Sequence, residues 1–174
     1  DPSGNGSINT GDINNGSSDN CGSVSFLIDN NSFGCADVGT NQVNLTVTDG
    51  SGNSSTCSST VTVSDNYSPS AVCQDLTIYL DASGNTSITA SQLDGGSTDA
   101  CSVQSFSIDA ADENYTCINV GLNTVVLTVT DVNGNSSTCS ATINVIDNVS
   151  PNAICQNLGI DLDEIAKREQ EVLR

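Results

Sequence analysis

The fold is decided by residues 37–74, which read DVGTNQVNLTVTDGSGNSSTCSSTVTVSDNYSPSAVCQ. The same stretch returns at residues 119–156 as NVGLNTVVLTVTDVNGNSSTCSATINVIDNVSPNAICQ, 82 positions further along. Residues 1–29 return in the same way at 81–109, 80 positions further along. A period of about 80 residues exceeds that of solenoid units and suits one small domain, so we predict a chain of tandem domains.

Within each copy, apolar residues alternate with polar ones. Val43, Leu45 and Val47 alternate with Asn and Thr, and residues 125–129 repeat the pattern. Such alternation is typical of strands that bury one face. Turn sequences that begin with Asp and end with Asn separate the strands. About seven short strands per copy predict an all-β fold of tandem immunoglobulin-like β-sandwich repeats, each of about 80 residues, arranged end to end.

The strands of the complete copy are predicted at residues 72–80, 86–90, 102–108, 124–130 and 136–146, with short strand material around Cys117. The chain is out of phase with its own period, so it divides into four parts. They are repeat 1 at residues 1–66, lacking its first strand; a complete repeat 2 at 67–148; the first strand of a third repeat at 149–163; and a tail at 164–174. The tail differs abruptly in composition, and we expect a short helix that was added to the repeats.

The charge distribution excludes several classes of function. The net charge is −18, and all three basic residues lie in the last eight positions. Residues 1–158 carry sixteen carboxylates, fifteen of them Asp, and no Lys, Arg or His. Nucleic acids and anionic membranes are therefore excluded as partners, and so is histidine-dependent catalysis. No apolar run reaches the ~20 residues of a membrane span, and we predict that the chain is not an enzyme.

Each copy carries four cysteines in the same order, which predicts a disulfide framework and a location outside the reducing cytoplasm. Cys101 and Cys117 flank the third strand of repeat 2 and the loop that follows it. We therefore predict a Cys101–Cys117 disulfide and, by repetition, a Cys21–Cys35 disulfide.

Two pairing schemes compete for the other four cysteines. Proximity in sequence favours Cys57–Cys73 and Cys139–Cys155. Sandwich geometry favours Cys73–Cys139, because the first and last strands of a sandwich run parallel and each of these cysteines stands at the start of its strand. Cys57 and Cys73 would instead lie on the order of 30 Å apart, far beyond the reach of a disulfide. We predict Cys73–Cys139, which leaves Cys57 and Cys155 open to partners outside the chain.

Aspartate recurs at turns, at equivalent positions of the two copies. In a sandwich, the incoming linker, the loop before the third strand and the turn between the last two strands gather at one end. Calcium prefers such a set of carboxylate and amide oxygens, so we predict calcium at the junctions between repeats. The predicted ligands are Asp65, Asn66, Asp99, Asp131, Asp19, Asp49, Asp147 and Asn148. General acidity, or the preference of Asp for turns, is the alternative explanation.

Four motifs carry a resemblance to a known family. They are DNYSPSAVCQD at 65–75, LDASGNTSIT at 80–89, GGSTDAC at 95–101 and VGLNTVVLTVTDVNGNSSTCSATINV at 120–145. Together they resemble the hyalin-repeat (HYR) and related immunoglobulin-like tandem repeats of large extracellular surface adhesins of the Bacteroidetes type. The resemblance implies an extracellular rod of sandwiches joined end to end, displayed in many copies and often associated with calcium.

The sequence thus favours a structural repeat module of an extracellular bacterial adhesin or surface filament, stiffened by disulfides and calcium and located at the cell surface or secreted. Its expected partners are neighbouring repeats or copies of the same protein, head to tail. Two explanations of the open cysteines remain: a cut from a longer array, or residues 153–163 of one copy completing repeat 1 of another. A module that binds surface glycans or a protein through its loops is the alternative function.

Overall fold

The computed structural model describes residues 2–159. The predicted all-β fold is confirmed, because long antiparallel hairpins dominate both halves of the chain. Short one-turn helical segments connect the strands. Among the described residues, no helix has the length and apolarity that crossing a bilayer requires.

Repeat 1 contains five strands and one short helix. They are β1 (Gly6–Ser7), α1 (Thr10–Ile13), β2 (Val24–Ile28), β3 (Ser32–Phe33), β4 (Gly39–Asp49) and β5 (Ser54–Val63). A 3₁₀ turn at Cys35–Asp37 leads into β4. β2, β4 and β5 form one sheet in that order, and β1 pairs with β3 in a second, two-stranded sheet.

Repeat 2 contains six strands. They are β6 (Leu76–Tyr79), β7 (Asn85–Ser87), β8 (Val103–Ser107), β9 (Asn114–Thr116), β10 (Gly121–Asp131) and β11 (Ser136–Ile146). One-turn 3₁₀ segments lie at Ala90–Leu93, Ala110–Asp112 and Cys117–Asn119. The main sheet has the order β6-β11-β10-β8, and β7 pairs with β9.

The two long hairpins share one register. Gly121 pairs with Val145 in β10 and β11, and Gly39 pairs with Val63 in β4 and β5, each 82 positions earlier. The predicted alternation decides what is buried, because successive residues of a strand face opposite sides of the sheet. Six apolar residues of β10 and β11 are at most 1% exposed: Val125, Leu127, Val129, Ala141, Ile143 and Val145. They form the centre of the repeat 2 core.

Repeat 1 differs from repeat 2 at one edge of its main sheet. In repeat 2, β6 runs parallel to β11, with Leu76 opposite Ile143 and Ile78 opposite Val145. No strand among residues 2–159 lies along the corresponding edge of β5. Val61 and Val63, the equivalents of Ile143 and Val145, are consequently only partly buried. Repeat 1 therefore has a sandwich with one uncovered edge.

The chain that follows β11 is irregular and exposed through residue 159. Residues 149–159 belong to the predicted first strand of a third repeat, but they form no strand in the structure. The remainder of that segment and the predicted helical tail at 164–174 lie outside the described residues.

Candidate functional site between the repeats

The junction between the repeats gathers three segments of repeat 2, as predicted. The incoming linker pairs with the loop before β8, where the Ser70 amide donates to the Thr98 carbonyl at 2.7 Å and the Thr98 amide donates back at 3.1 Å. The Ser137 hydroxyl, at the start of β11, donates to the carbonyl of the buried Pro69 at 2.5 Å. Linker, loop and turn therefore form one hydrogen-bonded unit at the end of repeat 2 that faces repeat 1.

Two of the predicted metal ligands meet at this junction. A carboxylate oxygen of Asp65 and one of Asp99 lie within 4.8 Å of each other and of the Cys101 sulfur. Asp99 accepts from the Cys101 amide at 2.7 Å, and Asp65 accepts from the Tyr67 amide at 3.1 Å. The second oxygen of Asp65, Oδ2, is buried and has no hydrogen-bond donor within the described part of the chain. Two carboxylates thus lie close together with one buried oxygen unsatisfied, a set of donors that a cation could bind.

Asp131, also a predicted ligand, closes a local turn. Its side chain is completely buried and closes the turn between β10 and β11, accepting from the Asn133 amide at 2.9 Å and the Asn135 amide at 2.8 Å. The Asn135 side-chain amide donates to Asp131 Oδ2 at 2.8 Å and also to the Asp65 carbonyl at 3.2 Å. Asp131 therefore contacts the junction through Asn135 and is not part of the Asp65–Asp99 cluster.

Burial opposes ionisation of Asp131, but hydrogen bonds outweigh it. The Asn135 side chain and the backbone amides of Asn135, Asn133 and Gly134 hold the pKa of the Asp131 carboxyl below its usual value. The charged form is therefore the one that stabilises the turn. This stability is present above the ordinary Asp pKa and is lost as the pH falls through the lowered value.

The equivalent residues of repeat 1 lie at its outer end. Asp19 and Asp49 line one cleft there, together with Val24 and Asn53. Asp49 closes its turn as Asp131 does, and hydrogen bonds from the Asn53 side chain and backbone hold the pKa of Asp49 below its usual value. The structure thus places Asp19 and Asp49 at the position that a preceding junction would occupy.

The remaining predicted ligands are exposed. Asn66 lies in the linker beside Asp65, and Asp147 and Asn148 follow β11. Asp147 accepts from the Val149 amide at 2.9 Å, which closes a local turn. Within residues 2–159 none of these three residues belongs to a cluster of acidic side chains, so their role as ligands remains a prediction.

The turn geometry yields a testable prediction. Asn135→Ala removes two side-chain hydrogen bonds, one of them to the buried Asp131, so the free energy of unfolding of repeat 2 should fall by about 1–3 kcal/mol at pH 7. The loss should shrink as the pH falls below the ordinary Asp pKa and through the lowered pKa of Asp131, because protonation removes the charged hydrogen bond. Urea unfolding at pH 7 and at a series of lower pH values measures both effects. The matched control is Asn53→Ala, at an exposed turn, which should lower the free energy of unfolding by less than about 1 kcal/mol. Equal losses for the two variants would contradict the role assigned to the Asn135–Asp131 hydrogen bond.

Two disulfides are present among the described residues. Cys73 bonds Cys139, as the parallel first and last strands predict, with Cα atoms 5.7 Å apart. Cys35 bonds Cys101, with Cα atoms 5.2 Å apart, and this bond joins repeat 1 to repeat 2. Linker and disulfide together give the junction two covalent connections.

The predicted pairs Cys101–Cys117 and Cys21–Cys35 are therefore wrong. Cys101 precedes β8 at the end of repeat 2 where β10 finishes, since Val103 pairs with Asp131. Cys117 precedes the start of β10, at the opposite end of the sandwich. The length of β10 puts the Cα atoms of these two cysteines on the order of 30 Å apart, whereas a disulfide allows about 7 Å between Cα atoms. The strand-length argument that separates Cys57 from Cys73 also separates Cys101 from Cys117. Applied to the sequence, it could have revealed the bond between repeats.

No protein-family model matches the chain, and a search of curated proteins finds no relative. Among solved structures, the chain is similar to the extracellular cadherin domains 1–4 of protocadherin gamma B7, with a TM-score of 0.38 and 18% identity over 72% of this chain and 41% of that one. The EC1-2 segment of human mucin-like protocadherin gives a TM-score of 0.36 and 14% identity over 71% of this chain and 84% of that one. An endo-fucoidan hydrolase of glycoside hydrolase family 107 gives a TM-score of 0.26 and 13% identity over 63% of this chain and 22% of that one. The chain thus spans about two fifths of the first of these structures, and at such low TM-scores no assignment of function rests on them.

Proposed function

We propose that this chain is a structural repeat module of an extracellular adhesin or surface filament, in which a disulfide and a calcium ion hold successive repeats end to end. The observation that carries the proposal is the Cys35–Cys101 bond, which crosses the junction between two similar domains. Disulfides form and persist in oxidising compartments, which supports a location outside the cytoplasm. The resemblance to HYR-type surface repeats supports the same role.

The proposed mechanism is mechanical. A single peptide linker between two small domains permits relative motion, which is the default for domains with a modest interface. A second covalent connection at Cys35–Cys101 removes most of that freedom, because bending would have to stretch or compress the disulfide. Each repeat then adds length to a rod, and the junction transmits tension through two connections.

The donor set at the junction fits a calcium ion. Asp65 and Asp99 supply carboxylate oxygens within one small volume, and Asp65 Oδ2 is buried without a hydrogen-bond donor among residues 2–159. No Lys or Arg occurs before residue 167, so the repeats have no basic side chain to neutralise this pair. Calcium takes six to eight oxygen ligands, and nearby carbonyl groups and water would complete the shell. The Cys101 sulfur is excluded as a ligand because it is disulfide-bonded and therefore cannot form the thiolate that binds metals.

Calcium should raise the melting temperature and reduce bending at the junction. A cation present at about 100 times its dissociation constant adds about 2.7 kcal/mol, or several degrees for a domain of this size. Calorimetry and small-angle scattering, each with calcium and with a chelator, measure these effects. Asp65→Asn/Asp99→Asn should abolish the response, and the control Glu113→Gln, at an exposed carboxylate outside the predicted ligand set, should keep it. A chelator that changes neither the melting temperature nor the scattering length would refute the junction ion.

A further inference from the structure

Sulfur and oxygen atoms of both repeats share one small volume at the junction. The Cys101 sulfur lies within 4.8 Å of one carboxylate oxygen of Asp65 and one of Asp99. The Cys35 sulfur is bonded to it and lies 3.5 Å from the Ala100 carbonyl oxygen. The Asp65 Oδ2 atom is buried and has no hydrogen-bond donor among residues 2–159. Because buried polar atoms are nearly always paired, this unsatisfied oxygen points to a cation in the same volume.

The disulfide between the repeats is open to attack by a soluble thiol. Cys35 and Cys101 are both partly exposed, and the bond between them lines a surface cleft at the junction. By contrast, Cys73 and Cys139 pack against the hydrophobic core of repeat 2. Thiol–disulfide exchange requires access of a thiolate to one of the two sulfurs. We therefore expect a reductant to break the bond between the repeats before the bond within repeat 2.

Reduction turns this crosslink into two metal ligands. A glutathione thiolate attacks one sulfur and expels the other as a thiolate, and a second glutathione resolves the mixed disulfide. Two molecules of glutathione thus become one of oxidised glutathione, and the chain gains two thiols. A thiol gives up its proton when its sulfur binds a metal ion, whereas a disulfide sulfur has no such form. The ligands available at the junction therefore depend on its redox state.

The reduced side chains match a tetrahedral zinc site. Zinc binds sulfur at about 2.3 Å and carboxylate oxygen at about 2.0–2.2 Å, so its four ligand atoms lie about 3.3–3.8 Å from one another. The ligand atoms of Asp65, Asp99 and Cys101 already lie within 4.8 Å of one another. Closing around an ion would shorten these distances by at most about 1.5 Å. The Cys35 sulfur starts beside that of Cys101 and has only to separate from it.

The surroundings of Cys35 keep its sulfur directed at repeat 2 after the bond is broken. Gly4, at φ +75°, lies so close that a Cβ there would come 2.8 Å from the Cys35 sulfur. The one-turn helical segment that begins at Cys35 is fixed by the Gly34 amide, which donates to the Asp37 carboxylate at 2.8 Å. The peptide linker also continues to hold the two repeats together. The two thiols therefore stay near each other.

The redox state of the junction selects the type of metal ion. With the disulfide intact, the available donors are oxygen atoms, which suit a hard cation such as calcium. Two thiolates add soft ligands, and these favour zinc and similar thiophilic cations over calcium. The sequence has no Lys, Arg or His before residue 167, so no basic side chain of the repeats competes for the four anionic ligands.

We propose that the reduced junction binds one zinc ion through the thiolates of Cys35 and Cys101 and the carboxylates of Asp65 and Asp99. The two thiols release two protons as the ion binds. Because Cys35 belongs to repeat 1 and Cys101 to repeat 2, the ion takes the place of the disulfide as the second connection between the repeats. This site goes beyond the proposed function, since zinc binding by the reduced chain does not require that the oxidised chain bind calcium.

Cobalt(II) is the probe for this site, because tetrahedral cobalt with thiolate ligands absorbs strongly in the visible and near-ultraviolet and hydrated cobalt does not. The full chain is used with its other exposed thiols removed by Cys21→Ser/Cys57→Ser/Cys117→Ser/Cys155→Ser. After reduction by glutathione and its anaerobic removal, cobalt should produce these bands with one ion per chain, and zinc should abolish them. The oxidised chain should produce none. Absence of the bands after reduction, or equal bands before it, would overturn the proposal.

Two further variants separate this site from binding by any pair of thiols. Cys35→Ser/Cys101→Ser in the same background should abolish the bands even where Cys73–Cys139 is also reduced, and bands that persist would overturn the assignment. Asp65→Asn/Asp99→Asn should weaken cobalt binding by about 100-fold or more, because loss of even a partner outside the ligand set weakens metal sites by about 10–100-fold. The control Glu113→Gln, at an exposed carboxylate, should bind as the unaltered chain does. Equal affinities for all three chains would overturn the role of the carboxylates.

Small-angle scattering tests whether the ion replaces the crosslink. In calcium-free buffer, the reduced chain should bend at the junction, and zinc should restore the scattering length of the oxidised chain. A scattering length of the reduced chain that zinc leaves unchanged would overturn this part of the proposal. The response of the oxidised chain to calcium is measured separately. Its absence would refute the junction calcium of the proposed function without touching the zinc site, and absence of the cobalt bands would refute only the zinc site.

Discussion

Replacing both Cys73 and Cys139 by alanine should lower the free energy of unfolding of repeat 2 by about 4 kcal/mol. The bond joins residues 66 positions apart, and a crosslink over such a loop removes about 4 kcal/mol of chain entropy from the unfolded state. Small domains have a total stability of only about 5–15 kcal/mol. The variant should therefore lose a large part of the stability of repeat 2.

Tyrosine fluorescence follows this unfolding selectively. All three tyrosines, Tyr67, Tyr79 and Tyr115, lie in repeat 2, and Tyr115 is buried at 3% exposure. Denaturant titrations of the double variant should show the midpoint shift, and the control Cys57→Ala, at an exposed thiol, should leave it unchanged. A loss of unfolding free energy below about 1 kcal/mol would contradict the assignment of the Cys73–Cys139 disulfide.

Leu127→Ala should destabilise repeat 2 by about 2–5 kcal/mol, the range for truncating a fully buried leucine. Leu127 is 0% exposed and lies in the middle of β10, opposite Cys139 of β11. Its neighbours in the core are rigid strand residues, so the cavity that the substitution leaves cannot close easily. The same tyrosine signal and a calorimetric scan measure the loss.

The matched control lies one position away on the same strand. Val126 points to the other face of the sheet and is 49% exposed. Val126→Ala should change the free energy of unfolding by about 0.5 kcal/mol or less. Similar losses for Leu127→Ala and Val126→Ala would contradict the register of β10 against the core.

The strands of repeat 2 were predictable because their evidence is local. The alternation at residues 125–129 and the Asp-to-Asn turn at 131–135 predict β10, the turn and β11 within a few residues. β6 proves shorter than predicted, at Leu76–Tyr79 and not 72–80, because Cys73 and Ser70 pair instead with the loop residues Asp94 and Thr98. Those pairings depend on a segment more than 20 positions away, which no local pattern reveals.

The candidate site was predictable only in part. Asp65 and Asp99 were expected together and lie together, because strand order alone brings the linker to that loop. Asp131 was expected beside them, yet its carboxylate points into its own turn and satisfies three amide donors. The direction of a side chain at a turn depends on local hydrogen bonds that the residue type alone does not specify.

The sequence by itself determined the repeat period, the all-β pattern and the parallel pairing that joins Cys73 to Cys139. These follow from alternation and repetition, each of which is a property of the chain read in one dimension. Only the tertiary structure decided that Cys35 bonds Cys101 across the junction. The physical reason is distance: Cys101 and Cys117 are close in sequence but lie at opposite ends of one sandwich, while Cys35 and Cys101, 66 positions apart, are brought to 5.2 Å between Cα atoms by the end-to-end packing of two domains.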